Sequence, residues 1–291
     1  MVSLLLLLAV IFWGLSFIGT KMALAYLTPV EIIAVRLLLG LPVMAIIMKW
    51  RRLKLKIERA DIIVIIIASL ILGFHFVIQA FGLIYTSATN TAWLIATIPI
   101  FVAISSRIFL KEVLDRKRIV GILIATSGVL LLVSRGRLGS LDWLESVGDW
   151  IILGSCLTWT AYTIITRNLT RRQNPLSLTV IFLIIPTVLL VAYTAMNTPV
   201  SKFAALPVSI ILVLAGLGIF CLGLAHWFWL EGLAGKGAIR TGVFLYIEPV
   251  ITTLAAMPIL GESLSLAGLG GVVLILIGVY MVERRPVMSV N

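Results

Sequence analysis

Residues 110–128 read LKEVLDRKRIVGILIATSG, and residues 260–278 read LGESLSLAGLGGVVLILIG. At an offset of 150, Leu110, Glu112 and Leu114 fall on Leu260, Glu262 and Leu264, while Gly121 and Gly128 fall on Gly271 and Gly278. In both stretches a polar turn gives way to a mostly apolar run with glycines seven residues apart, which on a helix makes one smooth face for close packing. The match continues upstream. Gly73, Gly82, Leu83, Ala88, Thr91 and Pro99 fall on Gly223, Gly232, Leu233, Ala238, Thr241 and Pro249. Nearer the start, an offset of 146 pairs Trp13 with Trp159, Lys21 with Arg167 and Pro29 with Pro175. Chance puts Leu on Leu in an apolar chain, but it does not align Pro, Glu, Trp and Gly in order. The chain reads as two copies of one unit, 1–140 and 141–291.

Composition says where that unit resides. The 291 residues are 61% hydrophobic and 12% charged, against roughly half and a quarter in a soluble domain. A helix crosses a bilayer with roughly 20 mostly apolar residues. Apolar runs bounded by charges, Pro and short turns fall at 2–25, 30–50, 61–84, 88–110, 118–134, 148–167, 176–195, 207–230, 239–260 and 267–283. The predicted fold is an all-α membrane protein of ten transmembrane helices in two five-helix repeats. Five is odd, so the second repeat enters the membrane from the opposite side. Inverted repeats of this kind let two pseudo-symmetric halves expose a midplane site to each face in turn. A duplication kept only for folding is the competing reading.

The net charge of +11 does not call for a nucleic-acid partner, because the basic residues sit in short loops. Their pattern orients the chain against the cytoplasmic leaflet of a bilayer. Six lie within 49–59, five within 107–118 and three within 167–172, followed by Lys236 with Arg240 and Arg284 with Arg285. The opposite side holds only Lys21, Arg135, Arg137 and Lys202, and Arg36 is inside a span. The expectation is a multi-pass protein of the cytoplasmic (inner) membrane with both termini cytoplasmic. Ala23-Leu24-Ala25 mimics a signal cleavage site, yet Met1-Val2-Ser3 carries no basic region and the apolar run is too long. Cys156 and Cys221 lie within spans without metal-ligand or disulfide spacing and read as small packing residues.

The paired motifs resemble those of the drug/metabolite transporter (DMT) superfamily, in its ten-helix branch with two EamA-type repeats. The resemblance lies in Phe12-Trp13-Gly14, in Thr97-Ile98-Pro99 followed by Leu110-Lys111-Glu112, in Glu248-Pro249-Val250 followed by Leu260-Gly261-Glu262, and in the paired glycines that close each half. It covers essentially the whole chain. It implies a ten-helix bundle with cytoplasmic termini and efflux of amino acids, metabolites or drugs. The length and aromatic-rich spans are similar to YddG-type exporters of aromatic amino acids. One departure stands out. Proton-coupled four-helix relatives carry a carboxylate in the first helix, and this first helix has none, which puts proton coupling by that route in doubt.

Ionisable and polar groups at membrane depth are costly, so each is a site candidate. His75, Gln79 and Gly82 are spaced i, i+4, i+7 on one face of the third span, where His and Gln suit the charges of a zwitterion. The alternative is that they tie helices together. Asn90, Trp93 and Thr97 form a stripe on the fourth span, and Trp offers a flat apolar wall. His226 lies deep in the eighth span, with Trp227, Trp229 and, at its end, Glu231. Trp159 and Tyr162 of the sixth span, Trp13 of the first and Tyr246 of the ninth are further cavity candidates. Glu248 precedes Pro249, whose ring removes a helical hydrogen bond. That carboxylate is either a coupling group or one half of an ion pair with Arg36. Pro99 and Pro249 read as helix kinks, and Glu112 and Glu262 as caps or hairpin contacts.

No catalytic constellation, cofactor motif or metal cluster is predicted. The stretch GLAGKG at 232–237 lacks the spacing of a phosphate-binding loop. The function read from the sequence is a secondary transporter exporting small amphipathic metabolites, amino acids including aromatic ones being favoured. Its partners are a small-molecule substrate and the lipid bilayer, as a monomer or a homodimer. The alternatives are a nucleotide-sugar or sugar-phosphate exchanger, which should need several cations at depth, and a non-transporting membrane scaffold.

Overall fold

Every regular element in the computed structural model is helical, over the described residues 1–55, 57–134, 146–260 and 266–283. Several groups counted or named above lie outside these ranges: one of the six cations at 49–59 (Lys56), Arg135, Arg137, Gly261, Glu262, Leu264, Arg284 and Arg285.

The first half holds α1 (Val2–Ala23), α2 (Pro29–Trp50), α3 (Ile62–Tyr85), α4 (Ala88–Ile95), α5 (Ile98–Phe109) and α6 (Arg116–Val133). The second holds α7 (Val147–Arg172), α8 (Pro175–Asn197), the short α9 (Val200–Ala204) and α10 (Val208–Gly216). A π-helical turn, Leu217–Leu224, joins α10 to α11 (Ala225–Lys236). Then come α12 (Ala238–Gly242), a 3-10 stretch (Val243–Ile247), α13 (Glu248–Leu260) and α14 (Leu266–Glu283).

Local chemistry sets the helix starts. The equivalent pairs Thr28-Pro29 and Asn174-Pro175 open α2 and α8: the polar side chain caps the first turn, and Pro stands where no amide donor is needed. Ser146 with Asp149 forms a capping box at the start of α7, and Asp115 caps α6.

Eight stretches among the described residues are long and apolar enough to cross a bilayer. They comprise α1, α2, α3, α4 with α5, α8, α10 through α11, α12 into α13, and α14. Sequence reading expected ten. The other two runs are α6 and α7, of 18 and 26 residues. Arg116, Lys117 and Arg118 at the start of α6, and Asp149, Ser155, Thr158, Thr160 and Thr163 along α7, lower their apolarity. Exposed Ile63, Phe74, Leu123 and Leu212 give the bundle an apolar exterior, as a lipid-facing surface requires.

The packing order is regular. α6 lies against α14, α3 against α7, α1 against α11, and α2 against both α8 and the π turn. Gly121 meets Gly278 and Gly128 meets Gly271, so α6 and α14 run antiparallel with backbones in near contact. The smooth glycine faces are thus used within the monomer. Gly82 backs onto Ile152, and Gly232 onto Leu6.

Candidate functional site

The π turn positions the centre of the molecule. Gly40 of α2 leaves room for the turn to approach: a Cβ there would sit 2.5 Å from the carbonyl oxygen of Gly218. Within the turn, hydrogen bonds step i to i+5 and the local backbone widens. The Cys221 carbonyl accepts a 2.8 Å hydrogen bond from the Trp13 indole, and the Cys221 thiol donates to the Phe12 carbonyl at 3.1 Å. Cys156 likewise donates to the Leu94 carbonyl at 3.4 Å. Both cysteines are buried and free and join helices.

Trp13 is thereby held against a ring cluster. Trp159 is its hub, with centroids 5.1 Å from Trp13, 5.0 Å from His75, 5.4 Å from His226 and 5.4 Å from Trp229. Trp13 and Trp159 meet edge to face at 84°, a favoured aromatic geometry. Phe76 packs on His226 at 5.0 Å. Four helices (α1, α3, α7 and α11) contribute rings to one volume.

Beside the cluster lies a cavity lined by Trp13, Ser16, Phe17, Arg36, His75, Phe76, Gln79, Ile95, Ile98, Trp159, His226, Leu245 and Glu248. It offers about 40 Å³ to the centres of water molecules, room for a few waters and not for an amino acid. His75 Nδ1 lies 3.1 Å from the Ser155 carbonyl and 3.0 Å from Thr158 Oγ1. It therefore both faces the cavity and ties α3 to α7. Arg36 and Glu248 are buried on the same cavity. The ion pair between them that sequence reading entertained is not among those formed by the described residues. Arg36 reaches Thr20 Oγ1 at 3.5 Å. Arg36 Nε and Glu248 Oε2 have no partner among the described residues.

Of the sequence candidates, His75, Gln79, Trp159, His226, Arg36 and Glu248 line the cavity, and Trp93, Thr97, Tyr162, Tyr246, Pro99 and Pro249 do not. The stripe Asn90, Trp93, Thr97 presumed a continuous helix. The chain instead breaks between α4 and α5, and Thr97 Oγ1 turns back to the Leu94 carbonyl at 2.7 Å. Asn90, in the first turn of α4, donates to Asp149 Oδ1 at 2.5 Å. Tyr162 backs Trp159 and packs on Phe182. Tyr246 joins the 3-10 stretch to α6 through a 2.8 Å bond between its hydroxyl and Thr126 Oγ1. Pro99 and Pro249 occupy the second positions of α5 and α13, where proline starts a helix without losing a bond. They mark breaks rather than bends within a helix.

Ser16, Phe17, Phe76, Ile95, Ile98 and Leu245 were not anticipated. Ser16 stands one turn from Trp13 and was readable as a polar group at depth. The others are apolar types indistinguishable in sequence from lipid-facing ones.

Outside the cavity, Glu112 performs a capping role, at the start of α12. Its carboxylate accepts from the amides of Ala238 and Ile239 at 2.8 and 3.1 Å, and from Arg167 of α7 at 3.2 Å. Glu231 accepts from the Trp227 indole at 2.8 Å, and Arg51 lies over that ring at 4.7 Å.

Comparison with known proteins places this arrangement in context. The EamA-like transporter family matches residues 1–134 and 146–284, one stretch in each half. The chain is 29% identical over 272 residues to the uncharacterized transporter YyaM of Bacillus subtilis (strain 168), covering 92% of this chain and 89% of that protein. It is 28% identical over 284 residues to an uncharacterized transporter of Archaeoglobus fulgidus, covering 96% and 97%. A solved crystal structure of a protein 18% identical in sequence superposes with a TM-score of 0.73, covering 95% of this chain and 98% of its own. That likeness speaks to the fold.

Proposed function

Because the chain belongs to the EamA-like transporter family, we propose that it is a secondary transporter of the cytoplasmic membrane that exports small amphipathic metabolites. Amino acids, aromatic ones included, are the favoured class. The observation that carries the proposal is the cavity, where an aromatic wall from Trp13 and Trp159 stands beside the buried charges of Arg36 and Glu248.

The transport cycle rests on ten spans in two inverted repeats, with α6 and α7 as the ninth and tenth membrane crossings beyond the eight most apolar stretches. Three features support the inversion. The family pattern falls on each half. The repeat-equivalent helices α6 and α14 pack antiparallel through equivalent glycines. The contact of Gly82 with Ile152 has its counterpart in Gly232 with Leu6, under the same offsets of 150 and 146 that align the sequences. Two halves related in this way exchange conformations and open the cavity alternately to each side.

Labelled neutral amino acids should cross liposomes holding the purified protein without ATP. Absence of flux for all twenty would overturn the amino-acid reading. Strict dependence on a phosphorylated substrate would replace it with an exchanger of sugar phosphates or nucleotide sugars.

A further inference from the structure

We propose that Arg36 and Glu248 divide the two charges of a zwitterionic substrate, the guanidinium taking the carboxylate and the Glu248 carboxylate taking the ammonium. The inference rests on the amino-acid export reading and assigns its recognition chemistry.

Both side chains are over nine-tenths buried, at 7% and 1% exposure, and both line the one cavity. Glu248 differs from the other buried carboxylates among the described residues. Asp61 holds Arg172 and Gln173, Glu31 holds Lys202 and Thr198, and Asp149 holds Thr86 and Asn90. Glu248 Oε2 has no such partner, and Arg36 Nε has none either. A charge buried without a partner is expensive, and at membrane depth it marks a substrate or ion pathway.

The two charges approach from different sides and different halves. Arg36 is on α2, which packs against α3, α8 and the π turn, and Glu248 opens α13, which packs against α1 and α4. Had they paired, each would cancel the other and leave a neutral site. Held apart, they make a site with one positive and one negative wall and no net charge. A zwitterion satisfies both walls. A simple anion leaves Glu248 uncompensated, and a simple cation leaves Arg36 so. His75 is a weaker candidate for the carboxylate, because its Nδ1 is committed to Ser155 and Thr158. The rings of Trp13 and Trp159 then face the substrate side chain.

The test measures ligand binding to purified protein in detergent. Three probes share one ring: phenylalanine, with both charges; 2-phenylethylamine, with the ammonium alone; and 3-phenylpropionate, with the carboxylate alone. A lost charge-assisted contact corresponds to about a ten- to hundredfold change in affinity. Wild-type protein should therefore bind phenylalanine about that much more tightly than either analogue. Arg36→Gln should weaken phenylalanine and 3-phenylpropionate while leaving 2-phenylethylamine unchanged or tighter, since the like charge is gone. Glu248→Gln should do the reverse, weakening phenylalanine and 2-phenylethylamine only. Should either variant fail to fold, Arg36→Lys and Glu248→Asp keep the charge and should keep the charge preference at reduced affinity. Equal loss for all three probes in both variants, or no change in either, overturns the proposal. It also falls if wild-type protein binds phenylalanine no better than the one-charge analogues, while flux of amino acids in liposomes would leave the export reading standing. Absence of both binding and flux for every amino acid would instead remove that reading, and the charge assignment with it.

Discussion

Gly128 of α6 and Gly271 of α14 lie back to back. A Cβ on Gly128 would fall 2.6 Å from the Gly271 carbonyl oxygen, and one on Gly271 would fall 2.5 Å from that of Gly128. Neither neighbour is a flexible side chain that could move aside. Gly128→Val or Gly271→Val should therefore destabilise the protein by about 1–3 kcal/mol or more through overpacking. Gly154 of α7 has open space around its Cβ position, so Gly154→Ala should be neutral or stabilising by up to about 1 kcal/mol. Thermal unfolding in detergent checks both, and an unchanged midpoint for the two valine variants would contradict the close packing.

Glu112 joins Arg167 to the first amides of α12. Glu112→Ala removes the cap and the ion pair, and should cost about 2–3 kcal/mol. Glu112→Gln keeps an acceptor for the amides and should cost about half of that. Comparing the two unfolding midpoints separates cap from charge. Equal losses would assign the whole effect to the charge.

Trp159 contacts five other rings, and of these Trp13, His75 and His226 line the cavity with it. Trp159→Leu keeps an apolar surface and loses the flat one. Flux per folded molecule should fall several-fold for tryptophan and phenylalanine and less for alanine, since large rings gain most from the wall. Uniform loss across the substrates would make Trp159 a packing residue.

Orientation is testable from outside the cell. With Cys156 and Cys221 replaced, a cysteine at exposed Val200 should react with an impermeant thiol reagent in intact cells. One at exposed Lys54 should react only after the cells are opened. The reverse pattern would invert the topology.

The proposed repeat was readable because its markers are sparse residue types. Pro29 with Pro175, Trp13 with Trp159 and the paired glycines each serve a local demand: a helix start, a ring hub, a backbone contact. The charged and polar lining was legible for a related reason, since Arg36, His75, Gln79, His226 and Glu248 stand out against apolar neighbours. Phe17 and Leu245 did not stand out, because the exposed Phe74 and Leu123 are made of the same residue types. Thr97 was misplaced because helical spacing applies only while the helix continues, and this one stops after Ile95. The π turn at 217–224 left only Gly216, Gly218 and Gly223 as a trace. The turn packs on Gly40, which comes from a helix far away in sequence.

The cluster of Trp13, Trp159, Trp229 and the two imidazoles leaves room at the centre for little more than water. The protein is in this sense its own first occupant. An incoming molecule must displace ring contacts that already exist, so its affinity is the difference between the contacts it makes and those it ends. For the export proposed above, a site already filled by its own rings lowers the affinity a cargo can reach and eases its release.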